Sequence, residues 1–296
     1  MNTQPVIKQL CIIGVGLIGG SLARALRRAG AVQHIVGIGR SRENLERAVE
    51  LGVIDEMSHD IAQGVRAADR VIVAVPMGMY EQVFQDMAGN LQDDAIISDV
   101  GSTKMQALNV AKQCLADASR FVPAHPIAGT EKSGAAASFA ELFDNRTCIL
   151  TPDATTDLQA VQRIEQMWQT AGSKVIQMDA NTHDQLLAGV SHLPHLAAFA
   201  LVNAVRKQRS DNFDPFAFAA GGFRDFTRIA SSSPEMWRDI AMSNRQPLLQ
   251  QITALKNELS RLEKALQQRD KQTLLDEFSA AKNARGQWLK KHGDDF

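Results

Sequence analysis

Short runs of apolar residues recur along the first 180 residues and alternate with longer segments of mixed character. The runs predict strands, which we place at 8–14, 34–39, 69–76, 94–102, 120–126, 146–152 and 173–179. The first intervening segment has apolar residues at helical spacing, at Leu22, Ala25, Leu26 and Ala29. Strands that alternate with helices predict parallel βαβ units, and uniformly apolar strands are typical of a sheet covered on both faces. We therefore predict an α/β fold with a doubly wound parallel sheet over residues 1–180.

The pattern changes after residue 180, where the strand signals stop. Residues 182–208 predict one long helix that is mostly apolar and therefore buried. Ser233 as N-cap and Pro234 at the first helical position predict the start of another helix. A heptad seam follows at Ile252, Leu255, Leu259, Leu262 and Leu266. The seam packs either on its own domain or against a second subunit, and we predict an all-helical domain over residues 181–296.

Composition and charge exclude several classes of partner. The chain has 296 residues, of which 45% are apolar and 22% are charged, the balance of a soluble protein with two domains. Its net charge is −1, so it has no basic field that would attract nucleic acid or an anionic membrane. We predict neither as a partner.

The cysteines and the N-terminus indicate a reducing compartment. Cys11, Cys114 and Cys148 are odd in number and far apart, which argues against a disulfide framework. The N-terminus lacks the pattern of a signal peptide, and we find no apolar run of the ~18 residues that a membrane span requires. We expect reduced thiols and a cytoplasmic protein.

A glycine turn follows the first predicted strand. The segment "GVGLIG" places Gly14, Gly16 and Gly19 in a GxGxxG pattern between a strand and a helix. Gly14 permits the tight turn, Gly16 lets the backbone approach a pyrophosphate, and Gly19 allows close helix–strand packing. This context predicts a Rossmann-type dinucleotide site. We expect further cofactor contacts from residues that start the helix or end the third strand, namely Leu17, Ile18, Val75 and Pro76.

The end of the second strand distinguishes NADP from NAD. An NAD site has an acidic residue there, whereas this chain has Arg40, Ser41 and Arg42, with the first carboxylate at Glu43. Guanidinium groups and a hydroxyl suit a 2′-phosphate. We therefore predict NADP, with NAD as the alternative, unless the arginines only solvate the start of a helix.

Polar side chains follow two later strands, at the edge of the sheet where ligands bind. His125 ends one strand, and the segment "SDVGSTK" brings Ser102 and Lys104 to the same edge. A histidine can take a proton from an alcohol while hydride leaves the carbon, and a serine can orient the hydroxyl. The alternative for His125 is a loop histidine bonded to backbone.

The predicted helical half carries a second set of polar residues. His192 and His195 lie on one helix face, with His183 upstream, but the ligand set for zinc is incomplete and we predict no metal. Arginines and aspartates cluster around Trp237 at Arg224, Asp225, Arg228, Arg238 and Asp239. An arginine here is either a clamp for a substrate carboxylate or part of an internal ion-pair network.

Three motifs together resemble the prephenate/arogenate dehydrogenases of tyrosine biosynthesis. They are "GVGLIGGSLARAL", "SDVGSTK" with "HPIAGTEKSG", and "VSHLPH" with "GGFRDFTRIASSSPEMWRDI". The resemblance implies oxidation of a cyclohexadienol, with hydride transfer to a nicotinamide and loss of carbon dioxide. It also implies a homodimer joined through the helical domain.

The resemblance assigns roles to residues of this chain. It implies that His125 accepts the proton of the ring hydroxyl, that Ser102 orients His125 and the substrate, and that Arg228 binds a substrate carboxylate. His195 would line the active site with His192 beside it, and we add Thr130 and Trp237 as substrate contacts.

Other functions are open to the same sequence. One is a β-hydroxyacid or pyrroline-carboxylate type of oxidoreductase, although the long apolar helix offers histidines rather than a catalytic lysine. Another is an NADP-sensing protein without turnover, which would not need His125, Ser102 and Arg228 together. The motifs do not separate prephenate from arogenate; Glu131 and Asp225 are candidates to bind the ammonium group of arogenate.

Overall fold

The central sheet is parallel and is wound in both directions from its first strand. The computed structural model describes residues 7–130, 132–209 and 213–293. Six strands lie in the order β3-β2-β1-β4-β5-β6. Their bounds are β1 Ile7–Ile13, β2 Val32–Ile38, β3 Glu56–Ser58, β4 Arg70–Val73, β5 Ile96–Asp99 and β6 Phe121–Val122. The strand order reverses between β1 and β4, which opens a crevice at their carboxyl ends and confirms the predicted Rossmann-type fold.

Helices cover both faces of this sheet. The helices of this part are α1 Leu17–Arg28, α2 Arg42–Glu50, α3 Ile61–Val65, α4 Tyr80–Met87, α5 Met105–Cys114 and α6 Leu158–Thr170. Alternate residues of β1 enter different cores, with Ile12 in one and Cys11 and Ile13 in the other. All three are fully buried or nearly so, which explains why the strand is apolar at successive positions.

Two features of the sheet differ from the prediction. The short strand β3 was missed because its residues, "EMS", form no apolar run. The predicted fifth strand is divided at Pro123, which has no N–H to donate to a ladder. Beyond Pro123 the chain joins a separate sheet of β7 Ala124–Pro126, β8 Thr147–Leu150 and β9 Lys174–Gln177, with β7 antiparallel to β8. The last predicted strands therefore do not extend the parallel sheet.

The chain after residue 180 is helical, but the long helix is interrupted. Its parts are α7 Ala180–Leu187, a π-helical turn Ala188–His192 and α8 Leu193–Arg206. Pro194 follows the π turn and has no N–H to donate to the helix. The π turn changes the backbone hydrogen-bond pattern just before this proline. The prediction of a buried helix is also wrong for part of its surface, since Val190 is 76% exposed.

Further helices follow in the described part of the chain. They are α9 Gly221–Thr227, α10 Pro234–Ser243, α11 Arg245–Gln268 and α12 Lys271–His292. The hydroxyl of Ser233 accepts a hydrogen bond from the N–H of Met236, which confirms the predicted cap of α10. The heptad seam lies on α11, where Leu259 and Leu266 are exposed.

By compactness the chain divides into two units, Met1–Arg245 and Gln246–Phe296. The predicted boundary after residue 180 lies inside the first unit, because α7, its π turn and α8 to α10 belong to that unit as well. The division into domains 1–180 and 181–296 stays a prediction.

By length and composition alone, one stretch in the described part of the chain is apolar enough to cross a membrane, Ala180–Arg206. Our expectation that no such stretch exists is therefore wrong. The buried helix of a soluble protein passes the same test, and this stretch carries His183 and Asp184 in a buried hydrogen-bond network. Absence of a membrane partner stays a prediction.

Candidate active site

The glycine turn has the geometry that a dinucleotide site requires. Gly14 has a φ of 103°, and a Cβ there would collide with the carbonyl group of Ala74. A Cβ on Gly19 would collide with the carbonyl oxygen of Gly14, so this glycine sets the close packing of α1. A Cβ on Gly16 would meet no atom within 4 Å, which leaves open space next to the start of α1.

A cleft of about 890 Å³ opens beside this turn. Six of the predicted cofactor residues line it, namely Gly14, Gly16, Arg40, Ser41, Val75 and Pro76. Four do not, namely Leu17, Ile18, Gly19 and Arg42. Leu17 belongs to the core beneath the turn, and Ile18 packs against that core. The cleft therefore lies at the carboxyl ends of β1, β2 and β4, where the strand order reverses.

The three residues after β2 have different positions. Arg40 lines the cleft. Ser41 also lines it and accepts a hydrogen bond from the N–H of Asn44, so it caps α2. Arg42 is directed elsewhere, with its Nε 2.7 Å from a carboxylate oxygen of Glu46. Arg42 thus has the solvated position that we considered as the alternative, and of these two arginines Arg40 is the one that lines the cleft.

Sequence reasoning missed His59, which also lines the cleft. Its Nδ1 lies 2.7 Å from the carbonyl oxygen of Gly39 and therefore donates to it. His59 follows β3 directly, so the failure to predict that strand concealed it.

A buried ion pair holds the loop that carries Ser102. The Nζ atom of Lys104 lies 2.6 Å from Oδ2 of Asp99 and donates to the carbonyl oxygen of Ala124 at 2.6 Å. The hydroxyl group of Tyr80 donates a hydrogen bond to the same carboxylate of Asp99. Lys104 is therefore a structural residue and does not face the cleft edge as predicted. Ser102 is partly exposed, and its neighbours are held by hydrogen bonds to Asp99 and Ser243.

His125 lies on β7, just beyond the end of the parallel sheet. Asp99, at the end of β5, accepts a hydrogen bond from the N–H of Ala124 at 2.9 Å and so fixes the residue before it. The ring of His125 contacts His183, with Nδ1 2.9 Å from Nε2 of that residue. Within the described hydrogen bonds the ring is joined to His183 and not to Ser102. The orienting role of Ser102 stays a prediction.

Behind His183 lies a carboxylate. Nδ1 of His183 is 2.8 Å from Oδ1 of Asp184. Both residues are buried, and the carboxylate accepts hydrogen bonds from the N–H groups of Lys104 and Met105 at the start of α5. From the sequence, His183 is a candidate only for a metal site. Adjacent side chains on a helix do not normally face each other, so no sequence pattern predicts this bond.

Burial lowers the pKa of His125 well below its usual range, and the buried ammonium group of Lys104 acts in the same direction. The ring is therefore neutral at pH 7. A neutral ring on a residue that keeps some exposed surface can accept a proton from a bound molecule.

The two histidines of α8 and its π turn lie around Trp237. His195 stacks on the indole with ring centroids 3.6 Å apart, and His192 contacts the indole edge-on. Nδ1 of His192 accepts from the side-chain amide of Asn244 at 3.0 Å. Burial lowers the pKa of His192 to about 4, although the carboxylate of Asp184 acts in the opposite direction. Among the described atoms, Nε2 of His192 and Nε1 of Trp237 are buried without a partner.

The arginines of the predicted cluster have different described neighbours. Arg228 is exposed and lies near His195. Burial lowers the pKa of His195, and the positive charge of Arg228 lowers it further. Arg224 pairs with Asp225 at 3.3 Å, and Arg238 pairs with Asp239 at 2.7 Å. These two pairs support the alternative that arginines of this cluster belong to an ion-pair network.

The remaining predictions concern Thr130, Glu131 and a metal site. Thr130 is exposed in the loop after β7, where its hydroxyl accepts from the N–H of Lys132. Glu131 lies outside the described residues. Over the described ranges, His, Cys, Asp and Glu side chains form no group of three that could hold a metal ion.

The chain matches two family models over most of its length. The model described as the nucleotide-binding domain of prephenate dehydrogenase matches residues 22–177. The model described as the dimerization domain of prephenate dehydrogenase matches residues 179–280.

Individual relatives match along almost the whole chain. A prephenate dehydrogenase of Bacillus subtilis is 38% identical over 279 residues, which cover 93% of this chain and 75% of that protein. A cyclohexadienyl dehydrogenase of Zymomonas mobilis is 38% identical over 281 residues, which cover 95% of this chain and 96% of that protein. The crystal structure of prephenate dehydrogenase from Aquifex aeolicus, in complex with hydroxyphenyl propionate and NAD+, has a TM-score of 0.90 at 34% identity. The structural match covers 95% of this chain and 98% of the Aquifex aeolicus chain.

Proposed function

The chain belongs to the prephenate dehydrogenase family of tyrosine biosynthesis, and from this premise we propose that it oxidises prephenate or arogenate with hydride transfer to NADP+. One observation carries the proposal. A neutral, partly exposed histidine, His125, lies at the same edge of the sheet as a cleft that fits a dinucleotide.

The residues around the cleft fit a dinucleotide. Gly16 leaves open space at the start of α1, where free N–H groups can bind a pyrophosphate. Gly134, from the loop that follows His125, lines the same cleft and connects it to the proposed catalytic residue. When bound, the nicotinamide supplies the hydride acceptor.

The residues after β2 favour NADP over NAD. Arg40 and Ser41 line the cleft at the position where an NAD site has a carboxylate. A guanidinium binds phosphate oxygens through a planar fork, so Arg40 suits a 2′-phosphate. Since Arg42 pairs with Glu46, the preference rests on Arg40, with Ser41 beside it. NAD is the alternative, and the related Aquifex aeolicus enzyme was crystallised with NAD+.

The reaction requires one proton acceptor and a place for two carboxylates. Nε2 of His125 takes the proton of the ring hydroxyl as hydride leaves the same carbon, which becomes a carbonyl. The C–C bond to the ring carboxylate then breaks, carbon dioxide leaves, and its electron pair makes the ring aromatic. The phenolate oxygen recovers the proton, so His125 is neutral again at the end.

Side chains around His195 and Trp237, together with two loop residues, suit the substrate. Arg228 provides a positive charge beside His195 for a carboxylate. The buried N–H groups of His192 and Trp237 have no partner among the described atoms, and an oxygen acceptor would offset the cost of leaving them unpaired. Ser102 orients the ring hydroxyl at the adjacent loop. Thr130, in the loop after β7, is kept as a predicted substrate contact.

We also propose that the enzyme is a cytoplasmic homodimer. The match of residues 179–280 to a dimerization domain supports association through the helical part. Leu259 and Leu266 of the heptad seam are exposed, which suits a contact with a second copy.

A four-way assay tests the function. Initial rates are measured with NADP+ and with NAD+, each with prephenate and with arogenate. Turnover with NADP+ and either substrate is expected, and the ratio of kcat/KM values assigns the preferred substrate. Turnover with NAD+ alone keeps the dehydrogenase and contradicts the role of Arg40. Turnover in no combination contradicts the proposed function.

A further inference from the structure

We propose that His183 and Asp184 form a positioning dyad that fixes the tautomer of His125 and leaves its Nε2 bare for the incoming proton. The inference deepens the proposed function and rests on the role of His125 as proton acceptor. Neither His183 nor Asp184 needs to touch the substrate. The dyad acts through His125.

The positions of the protons follow from the hydrogen-bond partners. An ionised carboxylate only accepts, so Nδ1 of His183, 2.8 Å from Oδ1 of Asp184, carries a hydrogen. A neutral His183 then has a bare Nε2, which must accept. Nδ1 of His125 lies 2.9 Å from that atom and is therefore the donor. A neutral His125 that donates from Nδ1 presents a bare Nε2.

The carboxylate itself is held from two sides. Its oxygens accept from the N–H groups of Lys104 at 2.8 Å and Met105 at 3.0 Å. The backbone carbonyl of Asp184 accepts from the side chain of Asn244 at 2.7 Å. His183 is fully buried, so its ring has no room to turn. The dyad is thus fixed before any substrate binds.

The same arrangement supports the protonated state of His125. Once Nε2 has taken the proton, the ring is an imidazolium whose Nδ1–H still has an acceptor in His183. The carboxylate one ring further away stabilises the positive charge, as the aspartate does in the serine protease triad. Without His183, the Nδ1–H of His125 loses its partner in a buried place, and either tautomer can form.

The tautomers are measured directly by nitrogen NMR of enzyme labelled with 15N-histidine, without substrate, at pH 7. We expect both His125 and His183 in the Nδ1–H form, whereas a neutral imidazole in water prefers Nε2–H. The variant His125→Asn assigns the His125 signals. In His183→Leu we expect His125 to lose the pure Nδ1–H form. An Nε2–H form of His125 in the wild type, or a doubly protonated His183, overturns the proposal.

Kinetics test whether the tautomer matters. In His183→Leu we expect kcat to fall by about 10²-fold or more with KM little changed, because the base is misoriented while the binding groups remain. His183→Gln retains an acceptor oxygen near the former Nε2, and we expect it to recover most of kcat. His34→Leu is the matched control at a histidine whose side chain is 42% exposed, and it should keep the wild-type kcat.

The outcomes separate this proposal from the proposed function. A His183→Leu enzyme with the wild-type kcat, or His183→Leu and His183→Gln enzymes that are equally impaired, overturns the dyad. If the wild type turns over neither prephenate nor arogenate, the proposed function fails. The NMR measurement needs no substrate and decides the tautomer of His125 in either case.

Discussion

Lys104 and Asp99 form an ion pair that is closed to solvent, with Nζ 2.6 Å from Oδ2 and no exposed side-chain surface on either residue. The pair links the end of β5 to the loop that carries Ser102. Asp99 also accepts from the N–H of Ala124, so the same carboxylate fixes the residue before His125. One buried network therefore positions both residues that the resemblance makes catalytic.

Removal of the lysine charge should destabilise the fold. In Lys104→Met the carboxylate of Asp99 loses its counter-charge while it stays buried, and we expect the free energy of unfolding to fall by about 3–5 kcal/mol. Lys112→Met is the control, because Lys112 pairs with Asp153 at the surface and should cost less than about 1 kcal/mol. Urea unfolding of the three proteins measures both values. Equal losses in the two variants would contradict a structural role for the buried pair.

Arg40 should determine the cofactor preference. We expect Arg40→Ala to lower the ratio of kcat/KM for NADP+ to that for NAD+ by about 10–100-fold, the value of a hydrogen bond to a charged group. Arg42→Ala is the matched control, since its guanidinium pairs with Glu46 and is 77% exposed. It should leave the ratio unchanged. The opposite pattern, with the loss in Arg42→Ala, would show that Arg42 and not Arg40 binds the 2′-phosphate.

The fold could be predicted from the sequence where an element depends on residues that are close together in the chain. The apolar strands, the glycine turn and Ser233 as a cap all depend on neighbouring residues, and the structure confirms them. The division at Pro123 was missed, although a proline cannot join a central ladder. β3 was missed because three residues carry too little periodicity to detect.

The candidate site was harder to predict because its contacts are distant in sequence. His125 and His183 are 58 positions apart and meet only through tertiary packing. Lys104 was expected at the edge of the cleft, but the fold buries it against Asp99. Arg40 and Arg42 cannot be told apart by composition, and the direction of each side chain depends on where α2 begins.

Arg228 should contribute to substrate affinity. We expect Arg228→Ala to raise KM for the cyclohexadienyl substrate by about 10–100-fold with a smaller change in kcat, because a charged hydrogen bond to a carboxylate is lost. Arg224→Ala is the control, since Arg224 is 82% exposed and pairs with Asp225. Steady-state kinetics with varied substrate give both constants. An unchanged KM in Arg228→Ala together with a raised KM in Arg224→Ala would move the clamp to Arg224.

His192 should make the fold less stable at acidic pH. Its pKa is about 4 in the folded protein and 6.5 as the ordinary value, so the unfolded chain binds more protons between these values. Stability should therefore fall as pH drops from 6.5 towards 4, with up to about 3 kcal/mol from this residue. His192→Asn removes the titration and retains an acceptor for Asn244. Urea unfolding at pH 6.5 and 4.5 should show a smaller loss in the variant; equal losses would contradict the assignment.

The pH dependence of catalysis should report His125. Its pKa lies well below the ordinary 6.5, chiefly because of burial, and only the neutral ring can accept the substrate proton. kcat/KM should therefore stay level as pH falls through 6.5 and decline only at lower pH, where His125 becomes protonated. His125→Asn should lower kcat by about 10²–10⁴-fold, and its residual activity should lose this inflection. His34→Asn, at a ring outside this network, should retain both the rate and the profile. An inflection that persists in His125→Asn would assign the titration to another group and remove His125 from the proton transfer.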